Sequence, residues 1–171
     1  MSTTVVLVGE GAADALRPLE RLPNVRARSL DGWGDDEAAR WGRGGSTPYV
    51  VHDRDPLVHV AAAWEEFYDD LVTLETLTLE VDRAIDALAG GRVMIPDYYV
   101  VLEPESFAVT RRHWWLGVVS SASPQRVIPW PDRETQITRL LRRLPAGRPW
   151  PAPEAWLRKV PTVVPDRAGL S

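Results

Sequence analysis

Residues 110–119 read T-R-R-H-W-W-L-G-V-V, and their conformation decides which kind of sheet the chain forms. Aromatic and β-branched residues dominate this stretch, and both are typical of strands. The sequence therefore predicts that residues 106–115 and 116–121 are extended and belong to an antiparallel sheet. Further extended runs at 92–95 and 98–102 complete the predicted meander.

The same stretch is a candidate partner-binding surface. In a strand, alternate side chains face opposite sides of the sheet, so Arg111, His113 and Trp115 would share one face and Arg112 would lie at the rim of the other. An arginine beside an aromatic ring can bind a carboxylate, a phosphate or a nucleobase. The alternative is that Trp115 packs under a helix while Arg111 pairs with one of that helix's acids.

The N-terminal residues predict a strand, a helix and a second strand. Val5–Val8 is a short, mostly β-branched run that ends at a glycine, which indicates a buried strand. Apolar residues in 12–22 recur at helical spacing, and 25–30 is extended again.

The turn after the first strand carries Gly9 and Gly11, a spacing similar to the opening of a dinucleotide-binding turn. Asp14 occupies the third glycine position, and Glu10 separates the first two. These carboxylates would repel a pyrophosphate at the helix N-terminus, and the chain shows no repeated βαβ pattern. We therefore interpret the segment as an ordinary strand–helix turn and predict no cofactor.

Residues 31–48 contain five glycines and end in proline, a composition that predicts a flexible Gly-rich loop. Trp33 and Trp41 lie within it. Tryptophans in such a loop either dock onto their own domain or provide the aromatic anchors of an interface. The sequence leaves both alternatives open.

An Asp-Pro pair at 55–56 predicts a helix start, because aspartate caps helices and proline suits the first helical position. Apolar residues then recur at heptad spacing as far as two glycines at 90–91. The pattern predicts one long acidic helix, or a helical hairpin with a break near 73–78. The seam comprises Val60, Trp64, Phe67, Leu71, Leu74, Thr78, Val81, Ile85 and Leu88.

Four residues around this helix start, His52, Asp53, Asp55 and His59, are side chains that could ligate a metal ion. Their spacing matches no metal motif, and Asp55 has a simpler role as a helix cap. We therefore predict no metal site and no enzyme activity, and keep a metal-dependent enzyme as the third hypothesis.

The C-terminal residues 132–171 form a basic segment in which short helices are predicted. Two similar stretches, at 129–134 and 149–154, combine tryptophan, proline and an acid as helix starts do. The segment carries 8 basic and 4 acidic side chains, whereas residues 1–131 carry 12 and 20. Such a basic segment suits nucleic acid or an acidic protein surface.

The chain has 171 residues, 44% of them hydrophobic, which suits one globular domain. It contains no cysteine, so disulfides and cysteine-ligated metals are excluded. It shows neither a bilayer-spanning apolar run nor a signal-peptide pattern, so we predict a cytoplasmic protein without membrane association. Arginine supplies nearly all the basic charge, as expected of a GC-rich, bacterial-like coding sequence.

Together these patterns predict one α+β domain over 1–171, with a strand–helix–strand start, a long helix or hairpin, an antiparallel sheet and short C-terminal helices. We interpret it as a non-catalytic protein–protein interaction module, an adaptor or small subunit of a larger cytoplasmic assembly, with homo-oligomer formation left open. The alternative is nucleic-acid or nucleotide binding through the Arg/His/Trp strand and the basic C-terminal segment. The candidate partner-binding residues are Trp33, Trp41, Arg111, Arg112, His113 and Trp115.

Overall fold

The computed structural model describes residues 1–131 and 137–165. A single sheet of five strands has the order β2-β3-β1-β4-β5, and every neighbouring pair is parallel. The predicted antiparallel sheet is therefore wrong, and so is the inference that the chain lacks a repeated βαβ pattern. The strands are β1 (Thr3–Val8), β2 (Val25–Arg28), β3 (Tyr49–His52), β4 (Tyr98–Leu102) and β5 (Val127–Trp130).

Helices connect these strands and cover both faces of the sheet. They are α1 (Ala12–Leu16), α2 (Asp35–Arg43), α3 (Val58–Tyr68), α4 (Leu74–Ala89), α5 (Val109–His113), a π-helix (Trp114–Val119), α6 (Ser120–Ala122), α7 (Ile137–Leu141) and α8 (Pro153–Leu157). Short 3₁₀ turns lie at Leu19–Arg21, Pro104–Ser106, Pro124–Arg126 and Val160–Thr162.

The central strands explain why the sheet is parallel. The four residues Val5–Val8 and all five residues of β4 are buried, so both faces of these strands are covered. Strands buried on both faces are typical of parallel sheets, because the crossover helices pack on either side. The predicted strand–helix–strand start is confirmed as β1, α1 and β2.

Two separate apolar cores lie on the two faces of the sheet. From β1 to β2 the chain moves across the sheet toward one edge. From β2 to β3, from β3 to β4 and from β4 to β5 it moves toward the other edge. Right-handed crossovers therefore place their helices on opposite faces. One core packs α1 and α7 against Val5, Leu7 and Val100. The other packs α3, α4, α8 and the π-helix against Val6 and Val101.

Helix α2 replaces half of the predicted flexible loop over 31–48, so that prediction is wrong at Asp35–Arg43. Its first turn carries three acids and its last turn two arginines, which complement the helix dipole. Buried Ala38 packs the helix on the domain, and Gly44 donates its N–H to the carbonyl of Arg40 at 3.1 Å. Four of the five glycines lie outside this helix, and Gly42 lies within it.

The predicted long acidic helix is a helical hairpin, the second of the two alternatives. Helix α3 ends at Tyr68, and α4 begins after Thr73, whose side chain accepts the N–H of Thr76 at 3.3 Å. Between them Asp70 adopts a left-handed conformation with φ of 59°. Because the chain reverses here, Leu71 is 72% exposed although it continues the heptad spacing.

Residues 109–122 are helical, so the strands predicted at 106–115 and 116–121 are wrong. The run 92–95 is also not a strand, whereas 98–102 is. Trp114 and Trp115 are both buried, which a helix allows because neighbouring positions point to adjacent sectors of one face. Long-range packing here outweighs the strand preference of aromatic and β-branched residues.

The C-terminal segment contains the short helices that were predicted. Helix α8 begins at Pro153 and buries Trp156 and Leu157, while Trp150 stacks on Trp156 with 6.0 Å between ring centroids. The predicted cap at Asp132 lies outside the described residues. No helix in the described part of the chain is long and apolar enough to cross a membrane.

Candidate functional site

The carboxyl edge of the parallel sheet is where this fold places its crevices. The chain leaves β1 toward one face and β3 and β4 toward the other, and ligands of open parallel sheets bind where neighbouring connections diverge in this way. The turn after β1 is the strand–helix turn that was predicted. Gly9 and Gly11 have φ of 119° and 80°, a conformation that glycine adopts without strain.

A cleft of about 560 Å³ opens at the carboxyl end of β3, and we call it the α2–α4 cleft. Its walls come from the start of α2, the loop after β3, the first turn of α3, the outer turns of α4 and the residues just after α4. This volume lies within the range of small-molecule sites. Its ionisable side chains are Asp35, Asp36, Arg54, Asp55, His59, Glu80, Arg83 and Arg92.

Asp55 is a partly buried carboxyl in this cleft. Its Oδ1 accepts the N–H of Leu57 at 2.9 Å and the hydroxyl of Tyr99 at 3.0 Å. Burial raises the pKa of Asp55 to about 6, against the opposing effect of these hydrogen bonds and of the positive charges of Arg111 and His59. The predicted cap at Asp55 is wrong, because the N-cap position of α3 is Leu57 and no side chain caps it. Asp55 accepts the N–H of Leu57 just before the helix begins. The tyrosine contact from β4 is an addition that no local sequence pattern indicates.

Replacing Asp55 by asparagine is expected to stabilise the protein above pH 6 by up to about 3 kcal/mol. The folded pKa of about 6 exceeds the ordinary value of 3.8, so the folded protein binds a proton that the unfolded chain releases. Wild-type stability therefore falls as pH rises from about 4 to 6 and then levels off. Asparagine keeps an acceptor oxygen and never ionises.

Urea unfolding of both proteins at pH 4, 5, 6 and 7.5 measures this difference. We expect it to be smallest at pH 4 and to grow until pH 6. A difference that stays constant across these pH values would contradict the assignment.

The four side chains that could ligate a metal ion do not converge in the described structure. His52 Nδ1 accepts the N–H of Arg54 at 3.2 Å, whereas Asp53 accepts the N–H of Leu30 at 2.7 Å. Within residues 1–131 and 137–165, no three histidine or acidic side chains converge so that they could hold a metal ion. Burial lowers the pKa of His52 to about 4, so its ring is neutral at pH 7.

The Arg/His/Trp stretch does not form the predicted surface, because it is a helix rather than a strand. Arg111 Nε donates to Glu65 Oε2 of α3 at 2.5 Å, which is the alternative that the sequence left open. Arg112 pairs with Glu105.

The aromatic members of that stretch pack inward. The ring of His113 stacks on Trp64 with centroids 6.0 Å apart. Trp115 is buried with its ring centroid 5.1 Å from that of Tyr99. Of the side chains from 111 to 115, the aromatic rings therefore belong to the core and the two arginines are held in ion pairs.

Trp33 and Trp41 are partly buried and contact their own domain. The guanidinium of Arg28 lies 5.7 Å from the ring of Trp33, and that of Arg26 lies 4.5 Å from the ring of Trp41. The edge of Trp41 also meets His52, with 6.2 Å between centroids. These contacts favour the docking alternative, although both indoles keep some exposed surface.

Four arginines make a second candidate site, which we call the arginine surface: Arg139, Arg142, Arg143 and Arg148. All four are exposed. Arg139 lies on α7, whose apolar residues enter the core. No ion pair joins any of them to a carboxylate in the described part of the chain. Residues 137–153 contain no acid at all. The net charge of the segment indicated a basic region, but not this unpaired surface.

The loop that carries Arg148 is fixed to the sheet. Arg126 donates from Nε to the carbonyl of Arg148 at 3.1 Å and from Nη2 to that of Gly147 at 3.0 Å, and its guanidinium lies 4.7 Å from the ring of Tyr98. The Tyr98 hydroxyl donates to the carbonyl of Pro145 at 2.6 Å. The loop that presents Arg148 is therefore held in place before any ligand arrives.

Comparison with known proteins gives one distant similarity. No protein-family model matches the chain, and no solved structure matches it. The chain is 28% identical over 190 aligned positions to a tRNA(Ile)-lysidine synthase from Alkalilimnicola ehrlichii, and the match covers 91% of this chain. The same match covers 42% of that protein. The chain is thus similar, at low identity, to less than half the length of an enzyme whose name refers to a tRNA.

Proposed function

We propose that this chain binds RNA through the arginine surface. The observation that carries the proposal is the set of four exposed arginines that have no carboxylate partner in the described part of the chain. An unpaired guanidinium offers a fork of N–H donors that matches the oxygens of a phosphate. Several such groups on one short segment can follow a phosphate backbone.

Two further observations support this proposal. The loop that presents Arg148 is fastened by Arg126 and Tyr98, so little conformational freedom is lost when a ligand binds. The distant relative is by name an enzyme of tRNA, which favours RNA over DNA as the first ligand to test.

The proposal keeps the nucleic-acid alternative from the sequence but moves it to other residues. Arg111 to Trp115 are held in ion pairs and in the core, so the exposed C-terminal arginines take their place. The protein-binding module, including the absence of catalysis, stays a prediction, because no described contact tests it.

Binding of a fluorescein-labelled RNA hairpin, measured by anisotropy across a series of KCl concentrations, tests the proposal. Four phosphate contacts predict that log K falls against log[KCl] with a slope of about −3 to −4. The variant Arg142→Gln/Arg143→Gln is expected to halve that slope and to weaken binding at least about tenfold in 50 mM KCl.

The matched control removes two other exposed arginines, Arg40→Gln/Arg158→Gln, from helices outside the arginine surface. This control alters net charge equally and is expected to keep the wild-type slope. Equal losses in both double variants, or no binding at 50 mM KCl, would contradict the proposal.

A further inference from the structure

We propose that the α2–α4 cleft binds a small organic anion that also carries a hydroxyl group. The cleft opens at the carboxyl end of β3, whose chain leaves toward the face opposite to that taken by the neighbouring β1. The arginine surface belongs to the other face, where α7 packs. The two sites are therefore independent, and either can fail without the other.

Two of the arginines that line the cleft, Arg83 and Arg92, provide the anion-binding part. Arg92 is exposed and has no ion pair among the described residues. Arg83 is 64% exposed and pairs with Glu80, three positions earlier on its own helix, an arrangement that contributes little stability. Both guanidinium groups can therefore turn to a ligand. Arg54 is already engaged by Asp35.

The carboxyl of Asp55 provides a second polar contact in the cleft. Its Oδ1 takes both hydrogen bonds, from Leu57 and Tyr99, and Oδ2 has no partner among the described residues. Asp55 itself belongs to the lining of the cleft. A ligand hydroxyl would donate a hydrogen bond to Oδ2. The carboxyl group that accepts it is held in place by the Tyr99 hydroxyl and the Leu57 N–H.

Apolar side chains also line the cleft. Val58, Ala84, Ala87 and Val93 contribute to the lining between the loop after β3 and the end of α4. A cleft with apolar walls and a few convergent polar groups is typical of small-molecule sites. A short carbon skeleton with an anionic group at one end and a hydroxyl at the other matches this distribution.

Three probes test the inference on the ¹⁵N-labelled full chain at constant ionic strength. Glycerol 3-phosphate and glycerate place a hydroxyl beside a phosphate or a carboxylate, and methyl phosphate has the anion without an alcohol hydroxyl. We expect saturable amide shifts at Gly34, Arg92 and Val93 with at least one hydroxylated probe, and weaker binding of methyl phosphate. The hydroxylated probe that binds more tightly shows whether the cleft prefers a phosphate or a carboxylate.

Two variants assign the contacts. Arg92→Gln is expected to weaken binding of the hydroxylated probe about tenfold. Asp55→Asn is expected to remove the preference over methyl phosphate, because the charged acceptor is lost. The control is Arg40→Gln. Arg40 lies on α2, whose first residues line the cleft, but it is outside the lining itself. This variant should bind the probes as the wild type does.

Several results would overturn the inference. One is the absence of saturable shifts with both hydroxylated probes. Others are shifts confined to residues outside the cleft, unchanged affinity in Arg92→Gln, and equal affinity of the wild type for methyl phosphate and the hydroxylated probe. None of these results depends on whether RNA binds the arginine surface.

Discussion

Replacing Trp64 by alanine is expected to lower the free energy of unfolding by about 3–5 kcal/mol. The side chain is completely buried in the core between the sheet and the α3–α4 hairpin. Its ring lies 5.2 Å from that of Tyr68 and 5.8 Å from that of Trp114, and its Nε1 donates to the carbonyl of Val163 at 3.0 Å. Alanine leaves a cavity and an unpaired carbonyl, and both effects act in the same direction.

Equilibrium unfolding in urea measures this change, and a thermal scan should show a melting temperature lower by about 10 °C. The control is Leu71→Ala, which truncates a large side chain that is 72% exposed in the same hairpin. We expect that control to change stability by less than about 0.5 kcal/mol. Similar losses in both variants would show that the core is not organised around Trp64.

Replacing Gly9 by alanine is expected to destabilise the protein by about 3 kcal/mol. Gly9 has φ of +119°, and a Cβ there would lie 2.8 Å from the carbonyl oxygen of Leu102 and 3.2 Å from the ring of Phe107. The carbonyl belongs to the backbone of β4, so it cannot rotate away as a flexible side chain would. The variant must therefore move β1 relative to β4 or change the turn at the carboxyl edge.

A second glycine gives a control with the opposite sign. Gly42 lies in α2 and has nothing within 4 Å of an added Cβ, so Gly42→Ala should stabilise the protein by about 0.5–1 kcal/mol. Urea unfolding of both variants separates the two effects. A neutral Gly9→Ala would mean that the tight approach of the β1 turn to β4 does not exist in solution.

Local patterns were sufficient to predict several elements. Val5–Val8 and Tyr98–Leu102 are short apolar runs that were predicted as strands and are strands. The Asp-Pro pair at 55–56 was predicted to open a helix, and α3 begins at Val58 with the Asp55 carboxyl accepting the N–H of Leu57. Each depends on residues close together in the chain, so the sequence shows the cause directly.

The candidate sites were much harder to predict. The stretch Arg111–Trp115 places basic residues directly before aromatic ones, but the predicted strand put their side chains on the wrong faces. The contact between Asp55 and Tyr99 joins residues from the loop after β3 and from β4. The exposure of Arg139 and Arg142 depends on which side of α7 enters the core. No local pattern in the sequence indicates the Asp55–Tyr99 contact or the exposure of these arginines.

The sequence by itself determined which segments are apolar, where several helices begin and how charge divides along the chain, because these properties belong to neighbouring residues. Only the tertiary structure decided that the strands run parallel, since strand direction depends on connections that cross the sheet. It also decided that 109–122 is helical, because burying Trp114 and Trp115 against distant residues outweighs their local strand preference. Packing over long range likewise brought Asp55, Arg83 and Arg92 to one cleft. It also left four exposed arginines without a carboxylate partner among residues 1–131 and 137–165.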